Sequence, residues 1–416
     1  MKTLKSYLTF VLFIAILSIL SCSDDSGEPT LETPVAAFTV SNTAIEVGES
    51  VQFTSTSEGT ITSYNWVFEG GIPAASSEPN PEVVYNTPGA YDVQLTVANS
   101  NGSDIEIADE YISVDCTACS QQCPELCTEQ LIEDQTISVG GVERGYDVFL
   151  PSEHDIMEDL PVIINLHGTT GTKSLERFLT EFEPIAEENK IVMVLPQGSV
   201  LPTCNIGSQT RWNGNLFDTP DDIQFISDLI DQTIEDYNVD SERIYVMGRS
   251  NGGFMAYTLA CELSEKIAAV ASVAGAMTYN NMNNFCNSAR VVPVLEIHGT
   301  ADQVNSYNGF NNCEGNYAGV DDIIDFWRNK AGCSSEFDEF QYPDIDTSDN
   351  CTARRLTYQD CNNMVQLIII DNGGHSYPGS SSFESYYQDF SNILWPINFD
   401  IEASQEIWSF LKDFSL

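Results

Sequence analysis

R-I-Y-V-M-G-R-S-N-G-G-F, Arg243 to Phe254, decides how the rest of the chain is read. An apolar run stops at Gly248, Ser250 stands between small residues, and a helix-forming stretch, F-M-A-Y-T-L-A-C-E-L, follows. A strand that turns this sharply into a helix holds its serine in a strained backbone, and only glycine tolerates the close approach of neighbouring chain at Gly248 and Gly252. A glycine-rich turn that merely contains a serine matches the same G-x-S-x-G. The strand before it and the helix after it favour the first reading. Ser250 is then a candidate nucleophile, and the rest of the chain must supply a base, an acid and an oxyanion hole.

On both sides of this stretch, strands alternate with helices. Gly141 to Leu150 alternates as an edge strand, Pro161 to Leu166 and Ile191 to Leu195 are short buried runs, and Leu175 to Asn189 reads as one helix. Thr219-Pro220-Asp221-Asp222 looks like a helix start, with Thr219 as cap and Asp222 as capping carboxylate. Ile223, Ile226, Ile230, Ile234 and Tyr237 then make one apolar face. Strands at Ala268 to Ala274, Val291 to His298 and Met364 to Ile370, with helices from Gly319 to Lys330 and Ile401 to Phe414, complete the order. Buried strands alternating with helices mean a mostly parallel sheet with helices on both faces. This is the order of an α/β-hydrolase, expected over residues 131–416.

A serine hydroxyl needs a neighbouring base, and near neutral pH that base is usually histidine. The chain has only four histidines. His154 lies in a polar loop, and His167 precedes the serine in L-H-G-T-T-G. In this fold the order is serine, acid, histidine. His298 would need its acid among Glu262, Glu265 and Glu296, none in a strand-end loop. His375 follows a strand in the glycine loop D-N-G-G-H-S-Y-P-G, and Asp302 lies in the loop after the strand that ends at His298. Ser250, Asp302 and His375 are therefore the expected triad, with His298 a hydrogen-bonded strand-end residue. The backbone N–H of Asn251 and one from the H-G-T-T-G loop, best Thr169, are the expected oxyanion donors.

The amino terminus reads as a targeting segment: Lys2 and Lys5 precede an apolar stretch from Tyr7 to Leu20, too short to span a bilayer. It ends in I-L-S-C, which resembles a bacterial lipobox with Cys22 as the lipidated residue, and S-D-D-S-G-E after it resembles a surface-export tag of Bacteroidetes-type lipoproteins. The segments are a signal peptide over 1–21, a polar tether over 22–34, an alternating region over 35–115 and a cysteine-rich linker over 116–130. Membrane attachment is expected only through lipid on Cys22. Short alternating runs between Val35 and Val114, separated by Gly, Pro, Asn and Ser, indicate a small immunoglobulin-like β-sandwich. Phe38, Trp66, Phe68 and T-P-G-A-Y-D-V-Q-L-T-V from Thr87 resemble a polycystic-kidney-disease (PKD) repeat, with Trp66 as core filler.

Outside the cell the cysteines are disulfide candidates before metal ligands. C-T-A-C-S-Q-Q-C-P-E-L-C, Cys116 to Cys127, has spacing compatible with zinc, but the compartment favours a disulfide staple of unassigned connectivity. Beyond Cys22 there are eleven cysteines, so at least one is free or pairs intermolecularly. Asp344, Asp346 and Asp349 lack the glycine a calcium loop needs, so no metal is expected. The net charge of -46, from 62 acidic and 16 basic residues, repels polyanions and excludes nucleic acid as partner.

L-H-G-T-T-G, L-P-Q-G, R-W-N-G, D-D-I-Q-F, Y-V-M-G-R-S-N-G-G, I-H-G-T-A-D and G-G-H-S-Y-P-G stand in the order seen in secreted polyhydroxybutyrate depolymerases and feruloyl and acetyl xylan esterases. The chain resembles that family from about Gly141 to its end. The resemblance implies an α/β-hydrolase carboxylesterase that uses Ser250, Asp302 and His375 without a cofactor. It also implies pairing of Cys261 with Cys286 and of Cys333 with Cys361. This chain has Ser376-Tyr377 where the family commonly has Thr-Trp, and Gln303 where the family commonly has proline after the acid. Both departures put substrate preference in question. Trp212, on a loop with polar neighbours, either stacks on an aromatic or sugar ring or anchors its loop; with Gln303 and Tyr377 it makes the expected substrate contacts. The reading is a monomeric, exported esterase of a polysaccharide or polyester, with an α/β-hydrolase peptidase or a non-catalytic carbohydrate-binding lipoprotein as alternatives.

Overall fold

The computed structural model describes residues 32–116, 128–155, 157–204, 207–214, 220–288, 290–387 and 396–416. The signal peptide, Cys22, most of the tether, Cys119, Cys123, Cys127 and Thr219 lie outside the described residues. The chain forms two compact units, Met1–Cys116 and Thr117–Leu416.

In the first unit, period-two alternation sends every second side chain inward: Val51 and Phe53 from Ser50–Ser55, Trp66 and Phe68 from Ser63–Phe68. One sheet runs Phe38–Val40, Ser50–Ser55, Glu82–Tyr85, Gly71–Ile72; the other runs Ala44–Glu46, Gly102–Asp115, Gly89–Asn99, Ser63–Phe68, Ala75–Ser76. Trp66 is fully buried, stacks on Phe68 at 5.6 Å and donates its ring N–H to Glu78 O at 2.9 Å. It fills the core of this sandwich.

The second unit is built on ten strands: β1 Gln130–Val139, β2 Val142–Leu150, β3 Leu160–Leu166, β4 Val192–Pro196, β5 Val239–Arg249, β6 Ala269–Val273, β7 Val294–Gly299, β8 Phe337–Gln341, β9 Thr352–Tyr358 and β10 Val365–Asp371. They lie in the order β1-β2-β4-β3-β5-β6-β7-β10-β9-β8. The six from β4 to β10 are parallel, and an antiparallel pair closes each edge. Successive residues of the central strands feed opposite faces: Val162, Ile164 and Leu166 of β3 enter one core and Ile163 the other. Burial on both sides is why these strands read as unbroken apolar runs. Helices α3 Asp222–Asp236, α4 Asn251–Glu262 and α5 Val320–Ala331 cover the first face. Helices α1 Lys173–Thr180, α2 Glu183–Glu188 and α6 Ala403–Leu411 cover the other.

Three local expectations need correction. The helix expected over Leu175 to Asn189 is two, because Glu181 adopts a left-handed backbone at φ 48 and Pro184 opens α2. The cap of α3 is Asp221, whose side chain accepts from Gln224 N at 2.9 Å, while the Asp222 carboxylate is turned inward. The strand ending at Leu150 is not at the edge, since β1 pairs with it through a tight turn at Gly140 and Gly141, both at positive φ.

Two short hairpins leave the carboxyl ends of the sheet, Ser199–Pro202 with Ser208–Arg211 after β4, and Phe310–Asn312 with Gly315–Tyr317 after β7. Cys204–Cys313 joins them, and Arg211 pairs with Glu314 through both guanidinium nitrogens of its fork. Because β3, β5 and β6 lie between β4 and β7, the link reaches across their carboxyl ends, where Ser250 emerges.

Candidate active site

Ser250 stands between β5 and α4 at φ 57, ψ −118, and a hydrogen bond from its backbone N–H to Val273 O at 2.8 Å holds that conformation. The turn is as tight as the glycines require. A Cβ on Gly248 would fall 2.3 Å from Gly252 O, and one on Gly252 would fall 2.1 Å from Leu166 O at the end of β3. The Ser250 hydroxyl lies 2.9 Å from His375 Nε2, and His375 Nδ1 lies 2.7 Å from Asp302 Oδ2. A carboxylate can only accept, so Nδ1 carries the proton and Nε2 is free to accept from Ser250. Asp302 Oδ1 is fixed in turn by the N–H groups of Val304 at 2.7 Å and Asn305 at 2.9 Å. The structure thus brings together the three residues named from the sequence, from the ends of β5, β7 and β10.

Electrostatics support this arrangement. Asp302 is buried, which alone would raise its pKa, but hydrogen bonds from His298 and His375 hold it well below the usual carboxylate range. His375 is pulled down by burial, pushed up by Asp302, and pulled down again by the charges of Arg249 and His298, with a net lowering. It is therefore a neutral ring at neutral pH, as a proton acceptor must be.

The loop after β3 lies against the serine, since a Cβ on Gly168 would fall 3.3 Å from Ser250 Cβ. Its donors are mostly occupied. The Gly168 N–H faces the Glu176 carboxylate, and the Thr170 N–H bonds Thr210 O at 2.9 Å. The Thr169 N–H has no acceptor among the described residues, nor has that of Asn251 in the first turn of α4. His167, which sequence reasoning left without a role, shapes this loop: its Nδ1 lies 2.8 Å from Gly168 O, and its Nε2 accepts from Gly198 N at 2.9 Å and from the Gln197 amide at 3.0 Å. A buried ion pair, Arg249 with Glu176 at 3.1 Å, ties the nucleophile strand to α1.

Two of the three expected substrate contacts are corrected. Trp212 is 0 % exposed: it donates its ring N–H to His167 O at 2.9 Å and packs 5.0 Å from the His167 ring. The Asn251 side chain accepts from Trp212 N at 2.6 Å, and Asp222 accepts from Asn213 N at 2.6 Å while pairing with Arg144 at 2.6 Å. R-W-N-G is therefore a buried clamp that positions Asn251 and presents no face for stacking. Tyr377 is 1 % exposed, with its hydroxyl 2.8 Å from Ser404 Oγ, so it anchors the His375 loop to α6. Gln303 is exposed beside Asp302.

The pairs Cys261–Cys286 and Cys333–Cys361 are formed, and Cys204–Cys313 is a third disulfide that the sequence left unassigned. Cys116 is disulfide-bonded, and Cys351 is a buried free thiol. In the acidic loop, Asp349 caps the N–H groups of Cys351 and Phe399.

Residues 36–108 match the PKD domain family, and residues 157–314 match the phospholipase/carboxylesterase family. The bifunctional acetylxylan esterase/xylanase of Neocallimastix patriciarum is 27% identical over 267 residues, 64% of this chain and 35% of that protein. Feruloyl esterase B of Piromyces equi is 28% identical over 241 residues, 56% of this chain and 42% of that protein. The probable feruloyl esterase C of Aspergillus clavatus is 28% identical over 243 residues, 56% of this chain and 77% of that protein. This chain thus spans well under half the length of the first two relatives. Together the matches and the architecture show a PKD-type β-sandwich followed by an α/β-hydrolase fold that is similar, over residues 157–314, to the phospholipase/carboxylesterase family.

Proposed function

We propose that this chain is a serine carboxylesterase that removes acyl groups, feruloyl or acetyl, from a polysaccharide outside the cytoplasm, held by lipid on Cys22. The observation that carries this reading is the hydrogen-bonded line from Ser250 Oγ through His375 to Asp302 at 2.9 Å and 2.7 Å. The substrate class rests on the relatives' names.

In this reading Ser250 attacks the ester carbonyl as His375 Nε2 takes its proton. Asp302 stabilises the imidazolium that forms. The N–H groups of Asn251 and Thr169 receive the negative charge on the carbonyl oxygen, and because they are fixed by α4 and the His167-braced loop they need no rearrangement as it develops. His375 then protonates the departing alcohol. Water, activated by the same ring, releases the acid from Ser250. No cofactor enters any step.

The test is hydrolysis of p-nitrophenyl acetate, methyl ferulate, acetyl xylan, polyhydroxybutyrate and a peptide amide by the protein and by Ser250→Ala. The expected outcome is cleavage of methyl ferulate or acetyl xylan that the substitution lowers by at least about 10³-fold. Cleavage of the amide alone would make the chain a peptidase. Unchanged turnover in Ser250→Ala would remove the nucleophile assignment.

A further inference from the structure

Behind Asp302 lies a second buried histidine that the steps above do not use. His298 ends β7, with Nδ1 2.7 Å from Glu296 Oε1 and Nε2 2.8 Å from Asn305 O and 3.4 Å from Asp302 Oδ2. A backbone carbonyl has no proton to give. Glu296 is itself held as an acceptor, by the Tyr257 hydroxyl at 2.6 Å on Oε2 and by Gly275 N–H at 3.2 Å on Oε1. With acceptors on both sides, both ring nitrogens of His298 must be donors, and the ring is an imidazolium. The site therefore holds a row of buried groups, Glu296, His298, Asp302 and His375, in which negative and positive charges alternate up to the neutral ring that faces Ser250.

We infer that His298, held as an imidazolium by Glu296, is a positioning residue: it shares the Asp302 carboxylate with His375 and so sets how strongly that carboxylate draws on the His375 ring. The inference rests on the reading of Ser250, His375 and Asp302 as an esterase triad. Its physical content is a trade. The imidazolium lets two carboxylates, Glu296 and Asp302, remain ionised side by side in the interior, which an uncompensated pair would not. It also withdraws part of Asp302's charge from His375 and adds its own positive field, which keeps the His375 ring unprotonated at lower pH.

The surroundings fit this role. Burial pulls the His298 pKa down, but hydrogen bonds with Asp302 and Glu296 outweigh it and carry the value up to about 10. The other titratable or charged groups that bear on the row are few. The Tyr257 hydroxyl from α4 reaches it through Glu296, and the Tyr307 ring stands edge-on to His298 at 5.9 Å with its hydroxyl turned to Asp321. Arg249 from β5 adds a positive field at His375. None of these supplies the cation between the two carboxylates.

His298→Gln keeps a donor amide at about the same reach and removes the charge. The expected result is an acid limb of kcat/KM moved to higher pH by roughly half a unit or more, because His375 becomes easier to protonate. KM should stay within about twofold, since His298 does not reach the substrate. Glu296→Gln should move the limb the same way by releasing the His298 proton. Lower activity at every pH with an unmoved limb would reduce His298 to scaffolding and overturn the inference. If both variants fail to fold, the wild-type protein still decides: its four imidazoles, read by ¹⁵N NMR, must include one that carries both ring protons at pH 8. If none does, the inference falls. Ser250→Ala separates the two readings. If it keeps full activity the triad is wrong, and if it is silent while the pH limb of His298→Gln is unmoved only the role of His298 is wrong.

Discussion

His167 and His298 lie on either side of the serine and are held in opposite protonation states by their neighbours. His167 is nearly enclosed. Burial pulls its pKa down to about 4, with the Gly168 hydrogen bond opposing and the Arg249 charge assisting. Its unfolded counterpart titrates near 6.5. Between those values the unfolded chain holds a proton that the folded chain lacks, so this residue removes stability as pH falls from about 6.5 to about 4. His298 works the other way. Its contribution is complete below 6.5 and is lost as pH rises through about 10. Tm measured against pH should therefore fall on both sides, and His167→Gln should flatten the acid side selectively. An acid slope unchanged in that variant would show that other groups cause it.

At this scale, sequence named Ser250, Asp302 and His375 because each sits where an apolar strand runs into a loop of small residues, a pattern that needs no knowledge of packing. It left Trp212 undecided between ring stacking and loop anchoring, and placed Tyr377 at the substrate, for an equally physical reason. Polar neighbours in sequence suggest exposure only when those neighbours reach water, yet Arg211 and Asn213 are themselves buried, Arg211 paired with Glu314 far along the chain and Asn213 held by Asp222 just beyond it. Asp222 and Arg144, which orient the clamp, are 78 residues apart and carry no shared signal.

Among elements, the central parallel strands were legible because burial on both faces demands continuous apolar runs. The edge was not: all five residues of β8 are exposed, so F-D-E-F-Q shows no contrast between faces. The link between the two hairpins was also beyond sequence, since cysteines alone give no connectivity. Cys204–Cys313 closes a separation of 109 residues, for which chain entropy gives a stabilisation of roughly 4–5 kcal/mol at most. Replacing both with serine should lower Tm by several degrees. It should also raise KM, because the Arg211 hairpin leads directly into the Trp212–Asn251 contact. A stability loss with unaltered KM would confine the link to scaffolding.

For the molecule as a whole, the excess of 62 acidic over 16 basic residues is its dominant field. Only some of this charge is matched locally, as in Arg249–Glu176 and Arg144–Asp222. The unmatched remainder repels itself across the surface. Salt shortens the screening length from about 10 Å at 0.1 M to about 3 Å at 1 M. Tm should therefore climb with added sodium chloride over that range; a flat response would mean that short-range pairs govern. The two-part organisation was readable because the periodicity changes from two to strand-and-helix alternation along the chain, and each unit has its own core.

The hairpin link also makes competence conditional on chemistry outside the site. Where thiols stay reduced, the two hairpins that meet over the strand ends would be joined by the polar contacts of Arg211 with Glu314 and Tyr317 and by no covalent bond between Cys204 and Cys313. Closing that bond would fasten the hairpins, so their finished arrangement would depend on a compartment able to make it.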